Sequence, residues 1–431
     1  MTLQGLALGG GGARGSYEIG VWQGLKEVGW EAQIVTGTSV GALNGALIAQ
    51  GNYDVSKELW LTIETEKIIQ MENGQSPDEA AKLLKTAETY LKSMSGEEKG
   101  LNTAPLGILI DNYIDEKKVR SSKIDFGLVT NLWEAPKLTP LELFLEDIPR
   151  GYLADYLLAS SSLFPALQAH VIDGKSYVDG GYYDNVPINM ALKRGANLVL
   201  AVDLDAVGFS KEPQTTPDQE VRRIKPYWDL GPVLNFNRKT AARNIKLGYL
   251  DTLKAFGKAK GCYFTFSPEA FTPTPSLERL EQIKELISRE EKGFLQNLAT
   301  ESITKSVERK YRGSLKVDKD LWQICAECAG EVFKVDPEKV YGEAQFIAAV
   351  NSRVQEYKLQ AKIYDNFGFS KGQSLKKKLK FADAPGKALL LDKYLEDSLA
   401  AQAATVREAA ALVFPTEFFA AAFLRVANIT S

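Results

Sequence analysis

The sequence is poor in the residues that metal sites, disulfide frameworks and histidine-based catalytic centres require. Its 431 residues include 3 cysteines and a single histidine. The cysteines, Cys262, Cys325 and Cys328, argue against a disulfide framework and suit a reducing compartment. Zinc needs four ligands, and His170 cannot convincingly complete a set with the Cys325–Cys328 pair. We therefore expect Cys325 and Cys328 to be buried in a helix rather than to bind a metal.

The chain also lacks an excess of positive charge and a long apolar run. The 52 Lys and Arg residues nearly balance the 55 Asp and Glu residues, and no global basic surface for nucleic acid results. No uninterrupted apolar stretch approaches the roughly 20 residues of a membrane span. The basic and apolar regions of a signal peptide are not apparent either. We expect a cytoplasmic protein that binds no nucleic acid and whose contact with membranes is at most peripheral.

The order of apolar and charged segments predicts an α/β protein with two regions. Residues 1–50 have a β-α-β-α pattern, which is typical of a parallel sheet with crossover helices. We predict an α/β domain over residues 1–270 and a mainly helical C-terminal region over residues 271–431. Within the first domain we expect a helical insertion at 53–123, further strands at 126–130, 141–145 and 197–202, a polar linker at about 206–225, and a last strand at 262–266.

Two glycine-rich turns in the first 45 residues carry the strongest chemical signal. The second turn, Gly37–Gly41, is a Gly-x-Ser-x-Gly pentad between a strand-like run and a helix of small residues. This is the setting of a nucleophile elbow, in which Ser39 is exposed for attack on an acyl group. A serine that only caps the following helix would have the same local sequence. We interpret Ser39 as the nucleophile.

The first glycine-rich turn has three possible interpretations. Gly10, Gly12 and Gly15 fit the dinucleotide-binding fingerprint, but that site also needs an acidic residue at the end of the second strand, and Glu31 lies at its start. A P-loop would have lysine where Ser16 stands. An oxyanion hole needs only backbone N–H groups aimed at the developing charge. Close to a nucleophile elbow, this third interpretation suggests acyl transfer.

The sequence contains three candidates for the general base that would take a proton from Ser39. His170 is the one histidine, but its neighbours are apolar and it is more typical of a packed strand. Asp173 is followed by a single glycine. Asp179 follows the strand-like Tyr177-Val178 and precedes Gly180 and Gly181. Because catalytic groups meet in space and in several chain orders, sequence spacing does not decide among the three candidates.

Taken together, these motifs resemble a known family. Gly10–Gly15, Gly37–Gly41 and Asp179–Gly181, in this order, resemble the three signature blocks of the patatin-like phospholipases, and Ala159–Pro165 resembles the family's Ala-Ser-rich segment. The resemblance implies a three-layer α/β/α core, which makes residues 1–270 a patatin-like catalytic domain. It also implies a Ser-Asp dyad of Ser39 and Asp179, an oxyanion hole from Gly10, Gly11 and Gly12, and supporting roles for Arg14, Gly15, Gly37, Gly41, Gly180 and Gly181.

The resemblance further implies what the protein does. It suggests a serine acyl hydrolase that cleaves fatty-acyl esters of phospholipids or related lipids, without a metal or another cofactor. Such an enzyme takes a lipid or acyl-ester substrate and meets a membrane surface transiently. Two alternatives stay open: a dinucleotide-binding protein of Rossmann type, and a non-catalytic lipid-binding protein of the same fold. The sequence does not fix the oligomeric state.

Overall fold

The structure is a computed structural model of the chain. It describes residues 3–70, 100–271, 317–363, 382–397 and 411–429, and pieces of one to five residues between 279 and 380. The chain divides into two compact units, Met1–Phe256 and Gly257–Ser431. The domain boundary predicted at residue 270 differs from this division, and it remains a proposal.

A mixed sheet of eight strands forms the centre of the first unit. Its strands are Gln4–Leu8 (β1), Ile34–Thr38 (β2), Asp125–Glu134 (β3), Lys137–Phe144 (β4), His170–Ile172 (β5), Lys175–Asp179 (β6), Leu198–Val202 (β7) and Glu220–Ile224 (β8). They lie in the order β5-β6-β3-β2-β1-β7-β8, and β4 pairs with β3. The β3-β2-β1-β7-β8 part is parallel, whereas β4 and β6 run antiparallel to β3.

Helices cover both faces of this sheet. They are Ser16–Val28 (α1), Val40–Gln50 (α2), Tyr53–Thr62 (α3), Ala104–Tyr113 (α4), Glu116–Arg120 (α5), Leu153–Ser160 (α6), Ile188–Lys193 (α7) and Arg238–Ala255 (α8). Successive side chains of a strand point to opposite faces. In β1, Leu6 and Leu8 join a core cluster with residues of α1 and α2, while Ala7 packs in a second cluster with α7. The predicted three-layer α/β/α core with a mainly parallel sheet is confirmed.

Two predicted segments of this unit differ in the structure. The strand predicted at 126–130 is twice as long, because β3 continues to Glu134 and forms a hairpin with β4. The linker predicted at 206–225 contains β8, which pairs with β7. Arg222 and Arg223 are exposed on this edge strand. Charged side chains protect a sheet edge against further pairing, and they also hide the strand from a hydropathy pattern.

The predicted insertion at 53–123 is helical in the parts that the structure describes. These parts contain α3, α4 and α5. The charged run at 71–99, which contributed to the prediction, lies outside the described residues.

The described part of the second unit is mainly helical, as predicted. Its elements are Thr265–Phe266 (β9), Val317–Val332 (α9), Val340–Tyr341 (β10), Glu343–Ile363 (α10), Ala384–Asp397 (α11) and Pro415–Val426 (α12). The strand predicted at 262–266 is therefore only two residues long. Cys325 and Cys328 are buried within α9, and Cys262 is buried too. Among the described helices of the chain, none combines the length and apolarity needed to cross a bilayer.

Candidate active site

The central strand β3 brings Ser39 and Asp179 together. Thr38, the last residue of β2, pairs with Val129 of β3. Asp179, the last residue of β6, pairs with the next β3 residue, Thr130. Because β4 occupies the other edge of β3 here, β2 and β6 meet end to end along one edge. The two segments that carry the predicted nucleophile and base therefore end side by side.

Ser39 lies at a sharp turn between β2 and α2. Its backbone has φ 55° and ψ −127°, a conformation that residues other than glycine rarely adopt. The Ser39 N–H donates to Ser160 Oγ at 2.9 Å, and Ser160 Oγ donates to the Val129 carbonyl at 2.7 Å. A Cβ atom at Gly41 would lie 2.4 Å from the Leu8 carbonyl oxygen, so only glycine allows β1 and α2 to approach this closely. The local geometry is that of a nucleophile elbow.

Asp179 is buried and is held from several sides. Its side chain and backbone together are only 2% exposed. Its Oδ1 accepts a hydrogen bond from the Gly181 N–H at 2.7 Å, and the Ser39 side chain lies close enough to the carboxylate to lower its pKa. Desolvation by burial raises the pKa of Asp179 to about 6, although the Gly181 N–H and the Ser39 side chain lower it. Asp179 is thus more basic than an ordinary aspartate and still largely ionised at neutral pH.

The glycine-rich turn between β1 and α1 lies next to Ser39. The Gly10 N–H is occupied, because it donates to the Asn185 carbonyl at 3.0 Å. The N–H groups of Gly11 and Gly12 have no hydrogen-bond partner in the part of the chain that the structure describes. Gly10, Gly11 and Gly12 all border the cavity that contains Ser39. Two of the three predicted oxyanion donors are therefore available, and Gly10 instead fixes the turn to Asn185.

Arg14 anchors the glycine-rich turn and does not line the cavity. Its Nε donates to the Gly231 carbonyl at 2.8 Å, and one of its terminal nitrogens donates to the Leu204 carbonyl at 3.3 Å. It also forms an ion pair with Asp229 at 3.7 Å. These bonds connect the turn to two distant loops.

The remaining motif glycines lie where the chain packs closely around these groups. A Cβ atom at Gly15 would lie 2.4 Å from a Val40 methyl carbon, and one at Gly37 would lie 2.3 Å from the Gly41 carbonyl oxygen. Gly180 approaches the Val129 carbonyl in the same way, at 2.3 Å. Gly181 supplies the N–H that binds Asp179.

A cavity of about 740 Å³ opens beside Ser39 and Asp179. The volume lies within the usual range for small-molecule sites. Most of its lining side chains are apolar, and many come from α2, α3 and α4. The apolar lining residues from these helices and the neighbouring loops include Leu43, Leu47, Leu59, Trp60, Ile63, Ile68, Leu106, Leu109 and Ile110. The arrangement combines a serine hydroxyl, a buried carboxylate and room for an apolar chain.

Sequence reasoning missed three residues that support the site. Ser160 positions the Ser39 backbone, and Asn185 binds Gly10. Glu18 is the third: it is 1% exposed, its Oε2 accepts from Asn44 Nδ2 at 2.7 Å, and burial raises its pKa to about 8. The Ala-Ser-rich segment contains Ser160 but does not indicate what its side chain binds, and nothing in the charged pattern of α1 distinguished Glu18 from a solvent-exposed acid.

The other candidate bases lie elsewhere. His170 Nε2 is 2.9 Å from Asp155 Oδ1, and His170 does not line the cavity. Asp173 is in the hairpin turn between β5 and β6, where the Tyr152 hydroxyl donates to it. Glu31, which is relevant to the dinucleotide-binding fingerprint and is not a candidate base, precedes β2, whose end is formed by Gly37 and Thr38.

A family model named Patatin-like phospholipase matches residues 6–192, a range that contains both Ser39 and Asp179. Residues 6–192 form a patatin-like phospholipase domain. The compact unit that holds this domain continues to Phe256 and adds β7, β8 and α8. The match agrees with the resemblance that the three glycine-containing blocks indicate.

Individual relatives of the patatin-like domain are distant and much longer. The chain is 27% identical over 291 residues to lysophospholipase NTE1 of Mycosarcoma maydis, covering 65% of this chain and 14% of that protein. It is 27% identical over 290 residues to the patatin-like phospholipase domain-containing protein ZK370.4 of Caenorhabditis elegans, covering 65% and 20%. The crystal structure of VipD from Legionella pneumophila aligns with 100% of this chain and 92% of its own at 15% identity, with a TM-score of 0.35.

Proposed function

We propose that this protein is a serine acyl hydrolase that cleaves fatty-acyl esters of phospholipids or lysophospholipids. The observation that carries the proposal is the juxtaposition of Ser39, at its strained turn, with the buried carboxylate of Asp179. The apolar cavity beside them suits an acyl chain. The lysophospholipase relatives support an ester of a lipid as the substrate.

The chemistry proceeds in two halves. Ser39 Oγ attacks the ester carbonyl carbon, and its proton passes to the Asp179 carboxylate. The N–H groups of Gly11 and Gly12 stabilise the negative charge on the tetrahedral intermediate, where loss of one such donor costs roughly 3 to 4 kcal/mol. The C–O bond of the ester then breaks, and the alcohol leaves with the proton from Asp179. An acyl group stays on Ser39.

Water completes the cycle. Asp179, again ionised, takes a proton from a water molecule, and the resulting hydroxide attacks the acyl carbonyl. The bond to Ser39 Oγ breaks, the proton returns to Ser39, and the free fatty acid leaves. Asp179 takes part in every proton transfer. Its raised pKa helps it to accept a proton, and its buried position holds it beside Ser39.

Covalent labelling tests this assignment. We expect a fluorophosphonate probe to modify Ser39, as located by peptide mass spectrometry, and Ser39→Ala to abolish both labelling and ester hydrolysis. Asp179→Asn should reduce hydrolysis by at least about 10³-fold, because it removes general-base catalysis and leaves the fold intact. A circular dichroism spectrum identical to that of the parent protein establishes that each variant is folded.

Two matched controls make the result specific. Ser161 lines the same cavity, and Asp173 precedes a glycine as Asp179 does. Ser161→Ala and Asp173→Asn should keep labelling at Ser39. An adduct on Ser161, or unchanged hydrolysis by Asp179→Asn, would contradict the Ser-Asp dyad. A folded protein that never labels would instead favour a lipid-binding role without turnover.

A further inference from the structure

Two large apolar side chains are exposed at the mouth of the active-site cavity. They belong to the mouth loop, residues 206–211, which lies in the connection between β7 and β8. Val207 is 82% exposed and Phe209 is 71% exposed, and both also line the cavity. Their apolar surface therefore continues from the interior of the cavity to the outside of the protein.

The backbone of the mouth loop is fixed to the segment that follows Asp179. The Phe209 N–H donates to the Gly181 carbonyl at 2.9 Å, and the Phe209 carbonyl accepts from the Asn185 N–H. The Lys211 N–H donates to the buried carboxylate of Asp184 at 3.3 Å. These bonds hold the loop in place, so the exposure of Val207 and Phe209 is a property of its fixed conformation.

Lys211, the one cation of the mouth loop, contacts other side chains of the protein. Lys211 Nζ lies 3.1 Å from the centre of the Tyr183 ring and 3.8 Å from Glu142 Oε1. The outermost part of the loop is thus apolar, with its one cation held against the protein. Apolar surface that remains in water costs free energy in proportion to its area, which favours contact with an apolar phase.

We infer that Val207 and Phe209 insert into the surface of a phospholipid aggregate and dock the cavity mouth on it. The choice of partner rests on the proposed function. An acyl chain that leaves a lipid surface at these two side chains enters the cavity along continuous apolar surface and is not exposed to water. Gly181 forms hydrogen bonds with both Phe209 of the mouth loop and Asp179. A lipid surface bound by the mouth loop is therefore held next to Ser39.

Vesicle binding by a protein that cannot turn over tests the inference. Full-length Ser39→Ala protein is mixed with phosphatidylcholine vesicles, and the bound fraction is measured by flotation over a range of lipid concentrations. Adding Val207→Ser and Phe209→Ser should weaken the partition coefficient by roughly tenfold or more, since each buried apolar side chain favours the lipid phase. The matched control adds Val171→Ser and Leu138→Ser, which remove two exposed apolar side chains that do not line the cavity.

The control should bind vesicles as well as Ser39→Ala alone. Equal binding by the mouth-loop variant, equal weakening in the control, or no vesicle binding by the Ser39→Ala protein would each overturn the inference. A dimer that the mouth-loop substitutions convert to a monomer in analytical ultracentrifugation would assign the loop to contact between copies. Because the assay does not involve hydrolysis, its outcome is independent of whether Ser39 proves to be the nucleophile.

Discussion

At the scale of single residues, the site depends on opposing effects at Asp179. Burial of the carboxylate disfavours its charge, whereas the Gly181 N–H and the Ser39 hydroxyl favour it. The balance leaves a pKa of about 6, above the ordinary value of 3.8. A fully solvated aspartate would be a weaker base, and a carboxylate buried equally but without these two groups would have a still higher pKa.

This balance determines how the rate depends on pH. Only the ionised form of Asp179 can accept a proton, so kcat/KM for a soluble ester should be constant above pH 7. Below pH 6 it should fall about tenfold for each pH unit. The measurement is a pH–rate profile at constant ionic strength.

Two variants identify the group that titrates. His170→Gln removes the only histidine, and Asp184→Asn removes the neighbouring carboxyl whose pKa burial also raises to about 6. Neither residue lines the cavity. Both variants should retain the acidic limb, and loss of that limb in either one would assign it to that residue instead of Asp179.

Sequence alone could predict which two residues meet at the site but not the atoms that orient them. Ser39 and Asp179 belong to short motifs with characteristic neighbours. By contrast, Gly10 lies in the same motif as Gly11, yet its N–H is already bonded to Asn185. Such pairing depends on a residue far along the chain, and no local pattern reports it. Ser160 and Glu18 were missed for the same reason.

At the scale of elements, the position of the glycine-rich turn depends on how α1 packs. This helix follows the turn directly and crosses α8 at very short distance. A Cβ atom at Gly248 of α8 would lie 2.0 Å from the Tyr17 carbonyl oxygen, and one at Gly20 of α1 would lie 1.9 Å from the Ile245 carbonyl oxygen. The two backbones touch, which leaves no room for a side chain at the crossing.

Gly248→Ala should therefore destabilise the protein. The added methyl group forces α1 and α8 apart, and overpacking of this kind typically costs about 1 to 3 kcal/mol in the free energy of unfolding. The gain of up to about 1 kcal/mol from replacing glycine in a helix offsets only part of this cost. Urea unfolding followed by circular dichroism measures the difference.

Gly107→Ala is the matched control in another helix. At Gly107 in α4, the nearest atom to an added Cβ is a Leu158 methyl carbon at 3.6 Å, an ordinary contact. This variant should be as stable as the parent protein or more stable by up to about 1 kcal/mol. If Gly248→Ala behaves in the same way, the close crossing is not a determinant of stability.

Elements were predictable where apolar periodicity marks them. The strands β1, β2 and β7 are almost completely buried and fit the predicted β-α-β-α pattern of residues 1–50 and the strand predicted at 197–202. β8 was missed because an exposed edge strand carries charged residues, and its pairing with β7 outweighs its polar composition. The predicted strand at 262–266 has suitable β-forming residues, but only Thr265 and Phe266 pair with β10.

At the scale of the whole molecule, the family match and the compact unit have different ends. The match ends at residue 192, whereas the unit continues to Phe256. The added part includes β7, which pairs along the whole of β1, and α8, which packs on α1. Without these elements, one edge of β1 and one side of α1 would be exposed to water.

Fragments of the chain test where the folding unit ends. A fragment of residues 1–256 should be soluble, fold cooperatively and retain fluorophosphonate labelling at Ser39. A fragment of residues 1–192 should aggregate, since an unpaired β1 edge is a template for association. The measurements are solubility, thermal unfolding and labelling.

The fragment 1–270 examines the boundary that the sequence suggests. In the structure, β9 pairs with β10 of the second unit, so residues 257–270 should add nothing to the stability of 1–256. If 1–270 folds and 1–256 does not, the boundary lies near residue 270. The sequence pattern could not separate these possibilities, because Cys262–Phe266 is apolar enough to belong to either unit.

The strand β3 fixes the spacing of the proposed catalytic pair. Thr38 and Asp179 are held opposite consecutive residues of one strand, so their spacing is set by the strand's rise of about 3.3 Å per residue. This spacing depends on the backbone of β3, and most side-chain replacements along the strand leave it unchanged. The long chain between these two segments can accordingly gain or lose whole loops during evolution without moving Ser39 relative to Asp179, whereas a single residue inserted between Val129 and Thr130 would separate them.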